Sequence, residues 1–148
     1  AKDMIAAGED GAGPARAMRM ALRKAGIDLS AVGYINAHGT GTPLNDMAET
    51  RAIKTVFADH AYRMVVNSSK SMLGHMMGAA GAVELIVAAM SVYHGIVHPT
   101  INLVEADPDC DLDYVPHTAR QLPITAALSN SIGLGGHNSA VIVQKYVG

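Results

Sequence analysis

The pattern that most constrains the fold is an alternation of short apolar segments with longer helical ones. Residues 32–37 form a short, partly β-branched run, which predicts a strand; residues 63–69 are predicted to form a second strand, and helical periodicity follows each of them. Two further strand-like runs, 125–132 and 139–146, flank a glycine-rich turn. Strands that alternate with helices and then close in a hairpin predict an α/β fold, with a mixed sheet covered by helices.

Three helices are predicted to cover this sheet, over residues 9–25, 46–57 and 76–93. The first carries apolar residues on one face at helical spacing and stops at Gly26. Asp46 and Glu49 fit a capping box at the start of the second. The proline-rich segment 95–123 is predicted to be loop, with residues 112–115 as its best short strand.

Length and composition favour one well-packed domain over residues 1–148. A net charge of −2 gives no basic footprint for nucleic acid, and the single cysteine suits a reducing cytoplasm. Residues 76–93 are as long as a membrane span, but Glu84 near their middle would be costly in lipid. We therefore expect a core helix, a cytoplasmic protein, and neither a membrane nor a nucleic acid as partner.

Two predicted strand-to-helix connections carry the candidate chemistry. The first holds His38 in the run HGTGT, and the second holds Lys70 and His75. A lone histidine at a strand end is usually structural, and a tight turn capped by side chains would explain the first run equally. Neighbouring strands would nevertheless deliver both imidazoles to one sheet edge, with Asp46 and Glu49 following the first. Such a set could act as an acid–base and anion-stabilising site.

The C-terminal turn, residues 130–138, has two interpretations. Its glycines could supply the positive φ angles of a hairpin, or its backbone N–H groups could face an oxyanion, with Leu134 at the mouth. No metal site is predicted, because the remaining histidines lack ligand spacing and the acidic run 107–113 lacks the glycine and glutamate of a calcium loop. Cys110 lies in that acidic run and is not predicted to be a nucleophile.

Five motifs, in this order and spacing, resemble the β-ketoacyl–acyl carrier protein synthases: NAHGTGTPLND, SSKSMLGHMMGAAGA, PTINL, CDLDYVP and NSIGLGGHN. The similarity is greatest to the type II elongation enzymes of fatty acid synthesis and covers only their C-terminal half. The resemblance implies the C-terminal half of a thiolase-like fold, with the N-terminal half and its nucleophilic cysteine outside this chain. It also implies decarboxylating Claisen condensation of malonyl–acyl carrier protein with an acyl-enzyme, without a cofactor.

The resemblance also implies roles for individual residues. His38 and His75 would hold the malonyl thioester oxygen and stabilise the enolate, and Lys70 would pair with Glu49, close to Asp46. Substrate contacts would come from two threonines and the C-terminal turn, which Asn138 would support: Thr40, Thr42, Gly133, Leu134 and Gly135. The implied partners are acyl carrier protein, the N-terminal half and, for the full-length enzyme, a second copy.

Three departures from the family pattern leave alternatives open. The nucleophilic cysteine is absent, so this chain alone should be inactive. Ile132 and Leu134 stand where the family usually has phenylalanine, the second being its gate, and residues 3–8 lack the usual substrate contacts. A polyketide ketosynthase, its non-catalytic chain-length partner or a module that only binds acyl carrier protein are the alternatives. A half without its mate should also expose an apolar face and self-associate.

Overall fold

The computed structural model describes Gly8 and residues 10–146. A four-stranded mixed sheet lies at its centre, and a separate two-stranded ribbon follows the last helix. The elements in chain order are α1 (Ala12–Ala25), β1 (Val32–Asn36), α2 (Pro43–Phe57), β2 (Val65–Asn67), α3 (Lys70–Leu73), α4 (Ala80–His94), β3 (Ile96–Val97), β4 (Arg120–Gln121), β5 (Ala126–Gly133) and β6 (His137–Gln144). The predicted α/β fold with a mixed sheet is confirmed.

The strand order in the main sheet is β2-β1-β5-β6. Strand β1 runs parallel to both of its neighbours, and β6 closes the sheet as an antiparallel hairpin with β5. In the parallel part, Asn36 is level with Asn67 on one side and with Ser129 on the other. Three polar residues therefore end the apolar part of three adjacent strands at the same sheet edge.

Helices cover both faces of the sheet because the side chains of each strand alternate between them. Ile35 packs into the core under α1 and α2, together with Met18 and Phe57. Its neighbour Tyr34 packs on the opposite face, against Ala88 of α4. Both faces of the sheet are therefore buried at β1, which explains why this strand is apolar at successive positions rather than at alternate ones.

Several local predictions need correction. Helix α2 begins at Pro43, with Thr42 as its N-cap residue, because proline's fixed φ suits the first helical position. Asp46 and Glu49 lie inside the helix and form no capping box. Residues 112–115 do not form a strand: Asp113 makes one isolated bridge to Val65, and Val115 has a φ of 50°. The departure at residues 3–8 lies, apart from Gly8, outside the described residues.

Among the described residues one helical stretch, Met77–His94, is long and apolar enough to cross a membrane on length and composition alone. It contains α4, which turns one stripe toward the sheet; the buried residues of this stripe are small or polar, with one valine: Ala80, Glu84, Ala88, Ser91 and Val92. Three large apolar side chains point away from the domain, since Ile86, Met90 and Tyr93 are at least half exposed. The helix therefore buries a stripe of mainly small or polar residues and exposes a stripe of large apolar ones.

Candidate active site

The candidate site lies at the carboxyl edge of the parallel strands, where β1 and β2 each lead into a turn and a helix. His38 follows β1 by two residues, and Lys70 begins α3 shortly after β2. This edge is where open α/β sheets bind their ligands, because the strand-to-helix loops of neighbouring strands meet there.

The turn after β1 is held by Glu49, which reaches back from the second turn of α2. One carboxylate oxygen accepts hydrogen bonds from the His38 N–H at 2.9 Å and from Asn130 Nδ2 at 3.1 Å. The other accepts from the Gly39 N–H at 2.9 Å. Burial raises the pKa of the Glu49 carboxyl, and these donors oppose that shift. Glu49 therefore fixes the backbone that carries His38.

The predicted ion pair between Lys70 and Glu49 is wrong. Lys70 Nζ instead pairs with Glu84 Oε1 of α4. The Glu49 oxygens accept hydrogen bonds from the N–H groups of His38 and Gly39, which lie beyond the end of β1. Lys70 and Glu84 are 8% and 1% exposed, so the pair is buried. Glu84 Oε2 has no hydrogen-bond partner among the described residues. The sequence did carry a sign of this pair: Glu84 is an acidic residue inside an apolar helix, and such a residue is expected to have a buried cation as its partner.

Gly39 is required because the two turns touch at this point. Its φ is 38°, and a Cβ added to it would lie 2.5 Å from the Cβ of Ser68. The Ser68 hydroxyl donates to the carbonyl oxygen of His38 at 3.3 Å, and the Lys70 N–H donates to the same hydroxyl at 3.2 Å. The histidine turn and the lysine turn are therefore joined as one unit. Gly41, by contrast, borders open space.

The structure brings the two predicted imidazoles together. The ring centroids of His38 and His75 are 5.4 Å apart, and the rings are nearly perpendicular at 83°. The Met77 N–H donates to His75 Nδ1 at 3.0 Å, so the neutral ring carries its proton on Nε2 and is a hydrogen-bond donor there. His75 is otherwise exposed.

His38 is held in its neutral form. Burial, followed by the charges of Lys70 and His75, lowers the pKa of His38 from 6.5 to about 4. Its Nδ1 is buried and has no partner among the described residues. Each of the two adjacent rings carries an N–H group that can donate one hydrogen bond to an anionic oxygen.

A cleft of about 570 Å³ opens beside the histidine turn. Thr40 and Thr42 line it, with their hydroxyl oxygens 2.8 Å apart, and Asp46 lines the same wall. The segment from Thr100 to Asp107 contributes to the lining as well. The exposed lining of the cleft is mainly apolar, and Thr40 and Thr42 are two of several hydroxyl-bearing residues in it, which suits a slender, partly polar chain.

The predicted substrate-contacting turn is less closely joined to this centre. Leu134 is 69% exposed, between Gly133 and Gly135, the latter with a φ of 76°. Asn138 Nδ2 donates to the Gly136 carbonyl oxygen at 3.0 Å and so supports the turn. The turn is tied to the histidine turn through Asn130 of β5, a residue that the sequence did not single out.

Cys110 is unsuited to act as a nucleophile in this setting. Its thiol accepts a hydrogen bond from the Thr50 hydroxyl at 3.5 Å, and burial raises the pKa of the thiol. A higher pKa leaves less thiolate at neutral pH. Among the described residues no group of three or more histidine, cysteine or acidic side chains could hold a metal ion.

Comparison with known proteins places this geometry in a family. Residues 1–104 match the family model for the beta-ketoacyl synthase C-terminal domain. The chain is 50% identical to 3-oxoacyl-[acyl-carrier-protein] synthase 2 of Synechocystis sp. and 48% identical to that of Staphylococcus aureus, over 93% of its length in both cases. It spans 33% of the length of each.

Solved structures agree. A type II polyketide ketosynthase in complex with its acyl carrier protein matches with a TM-score of 0.94 and 42% identity, over 97% of this chain and 35% of that one. A beta-ketoacyl synthase from Burkholderia phymatum matches with a TM-score of 0.87 and 36% identity, over 97% and 34%. The fold is therefore the C-terminal half of the thiolase-like ketosynthase fold, and the chain belongs to the beta-ketoacyl synthase family as its C-terminal domain.

Proposed function

We propose that this chain supplies the histidine–histidine–lysine half of the active site of a β-ketoacyl–acyl carrier protein synthase in fatty acid elongation. The proposed reaction breaks the bond between the malonyl α-carbon and its carboxylate, releases CO2 and leaves the electron pair as an enolate. The enolate carbon then attacks an acyl thioester on a cysteine, forming a carbon–carbon bond and expelling the thiolate. No cofactor is required, because the broken bond itself supplies the electron pair.

The observation that carries the proposal is the pair of perpendicular imidazoles delivered by two different loops. In the reaction, negative charge develops on the malonyl thioester oxygen when CO2 leaves. His38 and His75 donate hydrogen bonds to that oxygen, and His75 is already in the tautomer that donates from Nε2. Donors fixed in advance stabilise the enolate more than the neutral thioester, which lowers the barrier to decarboxylation.

The remaining site residues support this step. Lys70, paired with Glu84, keeps a positive charge near His38 and thereby favours the neutral imidazole. Glu49 is a positioning residue that fixes the His38 backbone. Thr40 and Thr42 hydrogen-bond to the pantetheine arm of acyl carrier protein, which lies in the cleft beside them.

The proposal requires an N-terminal half that provides the nucleophilic cysteine. The Leu134 N–H, held between Gly133 and Gly135, contributes to the oxyanion hole of the acyl-enzyme, and the Leu134 side chain is the gate. The partners are acyl carrier protein, that half and a second copy of the complete enzyme, in the cytoplasm, without nucleic acid or membrane. The complex of a related ketosynthase with its acyl carrier protein supports the first of these.

A second candidate is a role in polyketide synthesis, as a ketosynthase or as its chain-length partner. Similarity to the ishigamide ketosynthase/chain length factor, with 40% identity and a TM-score of 0.92, favours it. The higher identity to the synthases of Synechocystis and Staphylococcus favours fatty acid elongation. Both histidines and the lysine are retained, which argues against a non-catalytic partner.

The test is decarboxylation of malonyl–acyl carrier protein by the complete synthase carrying this chain. We expect His38→Ala and His75→Ala each to lower the rate by about 10²–10³-fold, the usual cost of removing one oxyanion donor. His117→Asn is the matched control, because His117 is exposed and asparagine tolerates its φ of 64°.

If both histidine variants decarboxylate at the full rate and still bind carrier protein, the histidines are not catalytic and this chain is a module that only binds carrier protein. Condensation of the enolate with a polyketide thioester rather than with a saturated acyl thioester would favour the second candidate. Mass spectrometry of the carrier-bound products separates the two.

A further inference from the structure

A buried polar network lies behind the lysine turn and joins it to α4. Its centre is Asn36, the fully buried last residue of β1. Asn36 Nδ2 donates to Ser69 Oγ at 2.8 Å and to the backbone oxygen of Glu84 at 3.3 Å, and its Oδ1 accepts from the Ser69 N–H at 3.3 Å. One amide group therefore holds both the residue before Lys70 and the residue that pairs with Lys70.

His98, which follows β3, closes this network from the other side. Its Nε2 lies 3.3 Å from Ser69 Oγ, and its Nδ1 lies 3.0 Å from the Pro99 carbonyl oxygen. A carbonyl can only accept, so Nδ1 carries the proton and Nε2 accepts from the Ser69 hydroxyl. That hydroxyl oxygen is then free to accept from Asn36, so each bond in the chain has one donor and one acceptor.

The backbone of His98 is also fixed. Asn67 Nδ2, which is 3.3 Å from the ring Nδ1, donates to the His98 carbonyl oxygen, and Asn67 Oδ1 accepts from the buried Tyr34 hydroxyl at 2.7 Å. The imidazole is thus held at both ends and is only partly exposed. None of the roles assigned above to the two site histidines or to Lys70 uses His98.

We infer that His98 is a positioning residue, which fixes the Ser69 hydroxyl and thereby the start of α3, so that the Lys70 ammonium stays beside Glu84 and close to His38. The kinetic part of this inference rests on the proposed function; the geometric part does not. The mechanical reason is that α3 is a single turn of four residues, and Ser69 is the residue that leads into it. A one-turn helix has few bonds of its own, so its orientation depends on the residue at its N-terminus.

The inference predicts an electrostatic effect on His38. The groups that bear on this ring are Lys70, His75 and the Glu49 carboxylate that holds its backbone. Lys70 and His75 lower the pKa of His38, so moving Lys70 away raises it. A purely structural loss of stability elsewhere would leave the pKa of His38 unchanged.

The experiment compares His98→Leu and His98→Gln in the complete synthase. Glutamine keeps an acceptor oxygen for the Ser69 hydroxyl, whereas leucine removes it. His60→Leu is the matched control, since His60 is also partly buried and bonds to the Val32 carbonyl oxygen at the far end of β1. The pKa of His38 is read by NMR of ¹³C-labelled histidine, and kcat and KM for malonyl–acyl carrier protein are measured in parallel.

We expect His98→Leu to raise the pKa of His38 by at least half a unit and to lower kcat about 5–10-fold, with KM changed less than twofold. His98→Gln should keep the pKa of His38 and kcat close to those of the unmodified synthase, and His60→Leu should leave the pKa of His38 unchanged. An unchanged pKa of His38 in His98→Leu, or an equal shift in His60→Leu, would overturn the inference. If the unmodified synthase does not decarboxylate, the proposed function fails, and the NMR titration still decides whether His98 positions Lys70.

Discussion

His38 shows how burial and charge together prepare one side chain. Its pKa of about 4 lies below the unperturbed 6.5 because the ring is buried and because Lys70 and His75 lie near it. The unfolded chain therefore binds a proton near pH 6.5 that the folded chain does not bind until about pH 4. Stability from this group is complete above about pH 6.5 and is lost as the pH falls toward 4.

We predict that His38→Ala weakens the acid sensitivity of the fold. The free energy of unfolding should fall less between pH 7 and 4.5 in the variant than in the unmodified chain, because the shifted titration has been removed. Urea unfolding at the two pH values, followed by circular dichroism, measures this difference. Parallel losses in both proteins would mean that His38 has an ordinary pKa.

The Lys70–Glu84 pair can be tested by a double-mutant cycle. Lys70→Met and Glu84→Leu should each destabilise the fold by about 3–5 kcal/mol, because each leaves the other charge buried without a partner. The double variant should cost clearly less than the sum, since no buried charge remains. Urea midpoints give the coupling energy; simple additivity would mean that the two side chains do not interact.

Most elements could be predicted from the sequence, whereas the pairing of the side chains between them could not. Apolar runs and glycine stops predicted β1, β5, β6 and the bodies of the main helices. The two histidines could be predicted to meet, because neighbouring parallel strands end at one edge. Glu84 could not be assigned to Lys70, since that contact depends on how α4 returns across the sheet. Glu49 was misassigned because backbone N–H groups compete for a carboxylate without leaving a sequence pattern.

Helix α4 presents three large apolar side chains outward, and we propose that the N-terminal half covers them. Ile86, Met90 and Tyr93 lie on one stripe at helical spacing, and Tyr93 is 79% exposed. A monomer rarely leaves such a continuous apolar surface in water. The face therefore predicts self-association of the chain when it is alone.

We predict that the double variant Ile86→Glu/Met90→Lys converts the isolated chain into a monomer, with little loss of helix content, because both side chains are exposed. Sedimentation velocity measures the association state. Met20→Lys/Val104→Glu is the matched control: it also replaces two exposed apolar residues without changing net charge, but outside this face. Equal association in both double variants, or an unmodified chain that is a monodisperse monomer, would contradict the prediction.

At the scale of the whole molecule, the proposed function needs groups that stabilise an enolate, for which this chain offers His38 and His75, and a cysteine that carries the acyl group, which the proposal places in the N-terminal half. The chain spans 33% of the length of the Synechocystis relative, and the proposal assigns the other functions of the site to the part outside this chain. The two parts of the proposed site are thus chemically separable. Decarboxylation needs the histidines and a malonyl thioester held in a complete site but no cysteine nucleophile, whereas condensation also needs the cysteine.

This separation predicts the behaviour of a chimera in which the chain replaces the matching third of the Synechocystis synthase, to which it is 50% identical. We expect the chimera to decarboxylate malonyl–acyl carrier protein and to condense it, and the isolated chain to do neither, because the proposed site takes its cysteine and its remaining walls from the N-terminal half. Replacing the nucleophilic cysteine of the chimera by alanine should abolish condensation but retain decarboxylation, whereas His38→Ala with His75→Ala should abolish both. A folded, dimeric chimera with neither activity, beside an active parent enzyme, would show that the paired imidazoles do not suffice to stabilise the enolate.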